Sequence, residues 1–293
     1  IGGGSIWLWW DVDMNQHLCQ GLFPLYAMNG KLTGLKNNVC RATRILGRGG
    51  NALLELLLPR RCAVCGGMLT DADGQICPMC LAMMPETRFH RTYGNEMERR
   101  FMAEPEFERA TALFSYTRDS AVAMAIHDFK YNHRPGLALE LGREMGRRLL
   151  ATGFPGDADI ILPVPVHILK RMHRGYNQTE RLAQGYSQIT GIPVGTNLYA
   201  RRPHGSQTGR TLSSRRANTA GVFAVSNPSQ LLGRHILLID DVCTTGSTLT
   251  ACAEAIRSAL AQFPPIEHPV AGTTALRRGQ FRFSVLTLAA ARY

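Results

Sequence analysis

The stretch His235-Ile-Leu-Leu-Ile-Asp-Asp-Val-Cys-Thr-Thr-Gly-Ser-Thr248 decides the fold class that we predict for this chain. Its apolar part, Ile236–Ile239, has the length and residue types of a strand that is buried on both faces of a sheet. Two acids follow, and a turn of small and hydroxylated residues then opens a predicted helix. A buried strand that passes through a polar turn into a helix is the repeating unit of parallel α/β folds.

Predicted strands and helices alternate from about Ala110 onward, which favours an α/β fold with a parallel sheet covered on both faces. The predicted strands are Thr111–Tyr116, Ile160–Val164, Ile236–Ile239 and Phe283–Ala289. The predicted helices are Ser120–Tyr131, Leu137–Leu150, Gln178–Thr190 and Thr248–Leu260. The core face of the first helix is predicted to carry Ala121, Met124, Ala125 and Phe129, and that of the second Leu141, Met145 and Leu149.

The acids and the turn after Ile239 have the chemistry of a ribose 5-phosphate site. Backbone N–H groups at a strand-to-helix turn bind a phosphate well, and the helix dipole adds to this. The carboxylates of Asp240 and Asp241 could hold the vicinal ribose hydroxyls, directly or through Mg²⁺. The alternative, an acid pair that ends a strand before a threonine-rich helix cap, explains the parts but not their combination. We predict Asp240 and Asp241 as catalytic residues, and as phosphate ligands Thr244, Thr245, Gly246, Ser247 and Thr248.

Four of the eight cysteines form two C-x-x-C pairs, which are separated by 11 residues that include three glycines. Each pair places two thiolates at a spacing suited to one tetrahedral ion, and four thiolates close the site. A redox dithiol is the alternative, but it would explain only one pair. We predict a structural zinc site with the ligands Cys62, Cys65, Cys77 and Cys80, and we expect Cys243 and Cys252 to be small buried residues.

The chain is basic, with 33 Lys and Arg against 22 Asp and Glu and a net charge of +11. All but four of the basic residues are arginines, whose planar fork matches phosphate oxygens. Residues 165–216 hold nine basic residues and one acid. This charge favours phosphorylated ligands or nucleic acid; a solvated basic surface is the alternative.

Two arginine-containing loops are predicted to line the ligand site. Pro163-Val-Pro165 ends a buried strand, and Arg174-Gly-Tyr-Asn-Gln178 leads into the next helix, at the edge where open α/β sheets bind ligands. Arg201–Arg216 has no core-facing period and is a candidate flap over a bound pyrophosphate. A plain surface loop is the alternative for both segments. The ligand-binding candidates in these loops are Pro163, Val164, Pro165, Arg174, Asn177, Gln178, Gln207 and Arg215.

Together these motifs resemble the ComF/GntX family over about residues 53–293. The residues that carry the resemblance are the four cysteines, Tyr116, Phe129-Lys130-Tyr131, Pro163-Val-Pro165, Arg174-Gly-Tyr-Asn-Gln178, Gln207, Arg215, Asn218 and the stretch 235–248. The resemblance implies a type I phosphoribosyltransferase-like domain and a role in DNA uptake during competence or in the use of DNA as a nutrient.

The resemblance also implies a role for each loop toward phosphoribosyl pyrophosphate (PRPP). Asp240 and Asp241 would contact the ribose diol, and Thr244–Thr248 would hold the 5-phosphate. Pro163–Val166 would take the place of the pyrophosphate loop and Arg201–Arg216 that of the flexible loop. His167 departs from the Asp-Ser-Gly-like turn of amidophosphoribosyltransferases, which makes pyrophosphate binding less secure than phosphate binding.

The predicted organisation has four parts. They are an irregular N-terminal segment, 1–50, which need not belong to the native protein, a zinc-binding module, 51–85, a linker, 86–109, and a phosphoribosyltransferase-like domain, 110–293. No apolar run reaches the roughly 18 residues that span a bilayer, and no signal-peptide pattern is present. We therefore expect a reduced, cytoplasmic protein without a membrane span.

Two functions of different classes fit these features. An enzyme would transfer the phosphoribosyl group of Mg²⁺-bound PRPP to an unknown acceptor, with no general base other than the acid pair. A non-catalytic protein would sense a nucleotide or bind single-stranded DNA, together with proteins of the DNA-uptake machinery. A structural adaptor that uses neither site has no sequence feature in its favour.

Overall fold

The computed structural model of the chain describes residues 60–70, 73–132, 134–166, 176–201, 221–269 and 276–291. The chain divides into two units, Ile1–Arg60 and Arg61–Tyr293, and the description below concerns the second. The predicted N-terminal segment, 1–50, and three predicted ligand residues, Arg174, Gln207 and Arg215, lie outside the described residues.

Four parallel strands form the central sheet. In chain order the strands are β1 (Phe107–Tyr116), β2 (Ile160–Pro163), β3 (Leu198–Ala200), β4 (Phe223–Val225), β5 (His235–Cys243), β6 (Ile266–Pro269), β7 (Leu276–Gly279) and β8 (Arg282–Ala291). The sheet order is β1-β8-β5-β2, while β3–β4 and β6–β7 are separate antiparallel pairs. Strand β5 lies inside the sheet, and its carboxyl end is beside that of β2, where Pro163 pairs with Ile239.

The described residues contain five α-helices: α1 (Pro78–Ala82), α2 (Ala121–Tyr131), α3 (Pro135–Leu150), α4 (Gln178–Thr190) and α5 (Ser247–Leu260). Side chains of α2, α3 and α4 form one hydrophobic cluster with Leu237 and Ile239, and α5 forms a second with Ile236 and Leu238. Because successive side chains of a strand point to opposite faces, the clusters cover both faces of the sheet, as predicted. No helix in these described ranges has both the length and the apolar character to cross a membrane.

The predicted elements of the sheet and its helices are confirmed, with ends that differ by a few residues, but the pairs β3–β4 and β6–β7 were not predicted. The prediction for the core face of α2 was wrong at Met124, which is 47% exposed. Helical spacing fits two adjacent faces of α2, and the structure buries the face with the larger β-branched side chains. The buried residues are Val122, Ala125, Ile126 and Phe129.

The chain around the start of the predicted linker runs along β1 at the edge of the sheet. The N–H of Thr87 donates to the Leu113 carbonyl at 3.0 Å, and the N–H of Ser115 donates to the Pro85 carbonyl at 2.8 Å. Each of the two stretches provides one N–H donor and one carbonyl acceptor, so this segment and β1 are hydrogen-bonded main chain to main chain. The cysteine-bearing part of the chain is thereby joined to β1.

Residues 86–109, predicted as a linker, contain two 3-10 helices, Phe89–Arg91 and Glu98–Arg100. Asn95 is 6% exposed, and its side-chain amide nitrogen lies 3.1 Å from the carbonyl of Ala110 on β1. Its amide oxygen accepts from the N–H groups of Met97 and Glu98, each at 2.9 Å. This asparagine fixes the turn that leads into Glu98–Arg100, next to the candidate site described below.

Helices α3 and α4 touch backbone to backbone through two glycines. A Cβ atom on Gly142 would lie 2.1 Å from the carbonyl oxygen of Leu182, and one on Gly185 would lie 2.0 Å from the carbonyl oxygen of Leu139. Neither acceptor belongs to a movable side chain, so any larger residue must push the helices apart. This close approach holds α4 against α3 within the hydrophobic cluster that both helices share.

We expect Gly185→Ala to lower the free energy of unfolding by about 1–3 kcal/mol, because the added methyl group overpacks a backbone contact. Urea denaturation would measure the change. Gly136→Ala in α3 is the matched control, since its methyl group would meet the movable end of Gln75. Equal stability of the two variants would contradict the proposed close packing.

Candidate functional site

The four predicted metal ligands are brought together. The sulfur atoms of Cys62, Cys65, Cys77 and Cys80 lie within 4.8 Å of one another, and those of Cys65 and Cys77 are 3.9 Å apart. Zinc–sulfur bonds of about 2.3 Å in a tetrahedron require sulfur–sulfur distances of roughly 3.8 Å. The four thiols therefore fit one zinc ion with no position left for a further ligand, which is the arrangement of a structural site.

Backbone N–H groups point at the sulfur of Cys62 and favour its thiolate form. The N–H of Cys77 donates to the sulfur of Cys62 at 3.3 Å, and the N–H of Val64 donates to the same atom at 3.4 Å. Burial opposes ionisation of Cys62, but the backbone donors outweigh it and lower the pKa of this thiol. Cys243 and Cys252 are buried elsewhere, as predicted.

The cysteine site is packed onto the rest of the unit. Cys62, Ile76 and Cys80 belong to the hydrophobic cluster that α2, α3 and α4 form on the sheet. The N–H of Gln75 donates to the carboxylate of Glu140 in α3 at 2.6 Å. Loss of the metal would therefore disturb the core of the sheet as well as the cysteine loops.

The two predicted catalytic acids lie near the carboxyl end of strand β5, three and two residues before it ends at Cys243. Asp241 forms an ion pair with Lys130 at the end of α2, with 2.6 Å between Nζ and Oδ2. Asp240 accepts a hydrogen bond from the N–H of Asp241 at 2.8 Å. Burial and the charge of Asp241 raise the pKa of Asp240 above its usual range, although the N–H of Asp241 and the charge of Lys130 act against this.

The arrangement of the acids does not fit a Mg²⁺ ion bound by both carboxylates. An oxygen of Asp241 is already held by the ammonium group of Lys130. Mg²⁺ needs a nearly octahedral shell of oxygen ligands, and a lysine beside one of them repels it. Any Mg²⁺ that accompanies a pyrophosphate ligand would thus be coordinated mainly by oxygens of that ligand and of water, and less by Asp241.

The predicted phosphate ligands form an exposed turn at the start of α5. Gly246 has a left-handed backbone with φ of +83°, and it is buried, whereas Thr244, Thr245, Ser247 and Thr248 are exposed. The hydroxyl of Thr245 donates to that of Ser247 at 3.0 Å. The N-cap residue of helix α5 is Gly246, which has no side chain, and the N–H of Ser247 donates to the hydroxyl of Thr245 at 3.4 Å. Hydroxyl groups and backbone N–H groups at the start of a helix are suited to an anionic group.

Arg100, which was not among the predicted site residues, stabilises this turn through hydrogen bonds to main-chain carbonyls. Its guanidinium donates to the carbonyls of Cys243 at 3.2 Å and Ala291 at 2.8 Å, and also to the carbonyl of Thr244. The ring of the neighbouring Phe101 is 3.0 Å from the position of a Cβ atom on Gly246. Arg100 and Phe101 therefore hold both the end of β5 and the turn.

The predicted pyrophosphate loop is beside the acids. The N–H of Val164 donates to the carbonyl of Ile239 at 2.8 Å, and the hydroxyl of Thr179 donates to the carbonyl of Val164 at 2.5 Å. Pro163 thus ends β2, and Val164 and Pro165 follow it at the same edge of the sheet as Asp240. The main-chain pairing of β2 with β5 brings this loop close to the acid pair. The sequence predicted that both lie at the carboxyl edge of the sheet.

The predicted ligand residues Asn177 and Gln178 are buried, at 4% and 0% exposure. Asn177 caps α4, since its side-chain oxygen accepts from the N–H of Thr179 at 3.2 Å. The hydroxyl of Tyr176 donates to the carbonyl of Phe129, beside Lys130. These contacts join Tyr176 to α2 and Asn177 to the first turn of α4. Ligand contacts by Asn177 and Gln178 stay a prediction.

Comparison with known proteins found similarities for the cysteine-bearing segment and for the larger part of the chain. The model of the Double zinc ribbon domain family matches residues 53–99, a segment that holds four cysteines, enough for one tetrahedral site. The DNA utilization protein YhgH of Escherichia coli O157:H7 is 28% identical over 200 residues, which are 66% of this chain and 82% of that protein. Competence protein F of Haemophilus influenzae is 26% identical over 212 residues, 67% of this chain and 90% of that protein.

The sheet domain has a further similarity. The amidophosphoribosyltransferase of Methanothermobacter thermautotrophicus is 30% identical over 164 residues, which are 50% of this chain but only 31% of that protein. A solved glutamine PRPP amidotransferase of B. subtilis superposes with a TM-score of 0.34 at 18% identity, over 55% of this chain and 39% of that chain. The predicted fold class, a phosphoribosyltransferase-like parallel sheet with a four-cysteine zinc ribbon, is confirmed. The chain is a homologue of competence protein F and of the YhgH DNA utilization proteins, as its resemblance to the ComF/GntX family predicted.

Proposed function

We propose that the chain binds the ribose 5-phosphate part of PRPP at Asp240–Thr248 and acts in the cytoplasm in DNA uptake or DNA utilisation. The observation that carries this proposal is the sequence of acid pair, left-handed Gly246 and hydroxyl-rich helix start at the carboxyl end of a central parallel strand. Ligands of open α/β sheets bind at this end of the strands. The names of the relatives supply the cellular context.

As an enzyme, the chain would transfer the phosphoribosyl group to an acceptor. The bond between the ribose C1 and pyrophosphate breaks, pyrophosphate leaves with its electron pair, and the acceptor forms the new bond to C1. Asp240 and Asp241 hold the ribose hydroxyls, and Thr244–Thr248 hold the 5-phosphate. Pro163–Pro165 lies where the leaving group is expected. Such a reaction depends on positioning and on stabilisation of the charge that develops at C1.

Pyrophosphate release from PRPP, measured with Mg²⁺ across a panel of bases and amines, tests the enzymatic role. We expect release that requires an acceptor and is lost in Asp240→Ala. Glu254→Gln, which changes an exposed acid in the same α5 region, is the control. Absence of turnover with every acceptor would contradict the transferase and leave PRPP binding to be judged by itself.

A second candidate is a non-catalytic protein that senses a nucleotide or holds single-stranded DNA, with the zinc ribbon as a docking surface for proteins of DNA uptake. The basic excess of residues 165–216 favours it. Binding of single-stranded DNA should then weaken steeply between low and moderate salt, because neutralised phosphates release counterions. Binding that is insensitive to salt, or absent, would contradict this candidate.

A further inference from the structure

The end of helix α2 contacts two of the motifs that the proposed function uses. Lys130 pairs with Asp241 at 2.6 Å, and the carbonyl of Phe129 accepts a hydrogen bond from the hydroxyl of Tyr176. Lys130 and Asp241 are 111 positions apart in the chain, so this pairing exists only in the folded protein. The last turn of α2 therefore contacts the candidate site.

The ion pair is sheltered from water. The side chain of Lys130 is 19% exposed and that of Asp241 is 14% exposed, so solvent and salt screen the pair less than a surface pair. Lys130 is one of only four lysines among 33 basic residues. An ammonium group has three donors, so it can hold Asp241 and donate to a sugar oxygen at the same time.

Resting on the proposed function, we propose that Lys130 is the resident cation of the ribose-binding acids, so that pentose 5-phosphates bind at Asp240–Thr248 without a divalent cation. The lysine neutralises Asp241 from within the protein and occupies the oxygen that a metal would need. The 5-phosphate is bound at the start of α5, away from this pair along the chain. The ligand class therefore includes ribose 5-phosphate and nucleoside 5′-monophosphates, which carry no pyrophosphate to chelate a metal.

Calorimetry with ribose 5-phosphate, in EDTA and in MgCl₂, tests this inference on the full chain. We expect the wild type to bind equally well in both buffers, within about twofold. Lys130→Met should bind at least about tenfold more weakly in EDTA, because it leaves a sheltered carboxylate unpaired. Lys130→Arg, which keeps the charge, should retain most of the affinity. Arg118→Met removes an exposed cation before the same helix and is the matched control.

Three results would overturn the inference. The wild type could require Mg²⁺ for ribose 5-phosphate, or Lys130→Met could bind as well as wild type in EDTA. Either result leaves the proposed PRPP site standing and removes only the role of Lys130. Absence of ribose 5-phosphate binding in both buffers would overturn the proposed function, and this inference with it. Thermal melting of Lys130→Met and Lys130→Arg separates a loss of fold from a loss of affinity.

Discussion

Removal of zinc, or the substitution Cys62→Ser, is expected to unfold the cysteine-bearing loops and to destabilise the sheet on which they pack. Structural zinc sites contribute on the order of 10 kcal/mol of apparent binding free energy to folding. Here Cys62 and Cys80 are themselves part of the hydrophobic cluster that contains α2, α3 and α4. The effect should therefore extend beyond the loops and appear as a large fall in the melting temperature of the whole unit.

Metal analysis and thermal unfolding would measure this expectation together. The wild type should contain one zinc ion per chain, and a strong chelator should lower its melting temperature. Cys252→Ala, which changes a buried thiol of α5 outside the cysteine site, should keep the zinc and lose little stability. Zinc-free protein that melts like the wild type would show that the four cysteines are not a structural site.

Arg100→Ala is expected to weaken both the fold around the turn and the binding of PRPP. The guanidinium is 11% exposed and bonds to carbonyls at the end of β5 and at the end of β8. Hydrogen bonds to a charged group contribute about 1.5–3 kcal/mol each, so loss of these bonds should cost roughly 3 kcal/mol of stability. The freed turn should also lose at least about tenfold in affinity, since its donors are no longer pre-positioned.

Arg99→Ala is the matched control for Arg100→Ala. Arg99 is the adjacent residue in the same 3-10 helix, but it is exposed and donates to the carbonyl of Gly94. Calorimetry with PRPP should show a large loss of affinity for Arg100→Ala and none for Arg99→Ala. Arg100→Lys should recover part of the affinity if charge near the carbonyls is what positions the turn. Unchanged affinity in Arg100→Ala would mean that the turn holds its shape unaided.

The stretch 235–248 could be predicted because its parts are adjacent in sequence. An apolar run, two acids and a glycine-containing turn determine a strand, a turn and a helix start locally, and the structure has each of them. The zinc site was predictable for the same reason, since each C-x-x-C pair forms half of the site by itself. The buried face of α2 could not be predicted, because its sequence has two adjacent helical faces of similar apolar character. Packing against the sheet buries only one of them.

Lys130 and Arg100 could not be predicted as members of the site. Each lies more than 100 residues before its partner on β5, and no spacing rule connects them. Lys130 stands in a motif that carried the family resemblance, which was a signal of importance but not of a role. Arg100 is one basic residue in a charged and aperiodic stretch, so only the folded chain distinguishes it from Arg99.

Asn177 illustrates the opposite case. Its motif indicated a ligand contact, yet its side-chain oxygen caps α4 and the residue is buried. Asparagine is a preferred helix cap, and a sequence cannot separate a cap from a ligand contact at the start of a helix. Tyr176 of this motif contacts α2 and Asn177 caps α4, whichever further role its members have.

Calorimetry with PRPP and Mg²⁺, on the wild type and on the double variant Asp240→Ala/Asp241→Ala, tests the central claim most directly. We predict that the wild type binds PRPP with one site per chain and that the double variant loses this binding while it keeps its zinc. Glu254→Gln should bind like the wild type. PRPP binding that survives in the double variant, or that is absent from the wild type, would contradict the claim that the end of β5 is a ribose 5-phosphate site.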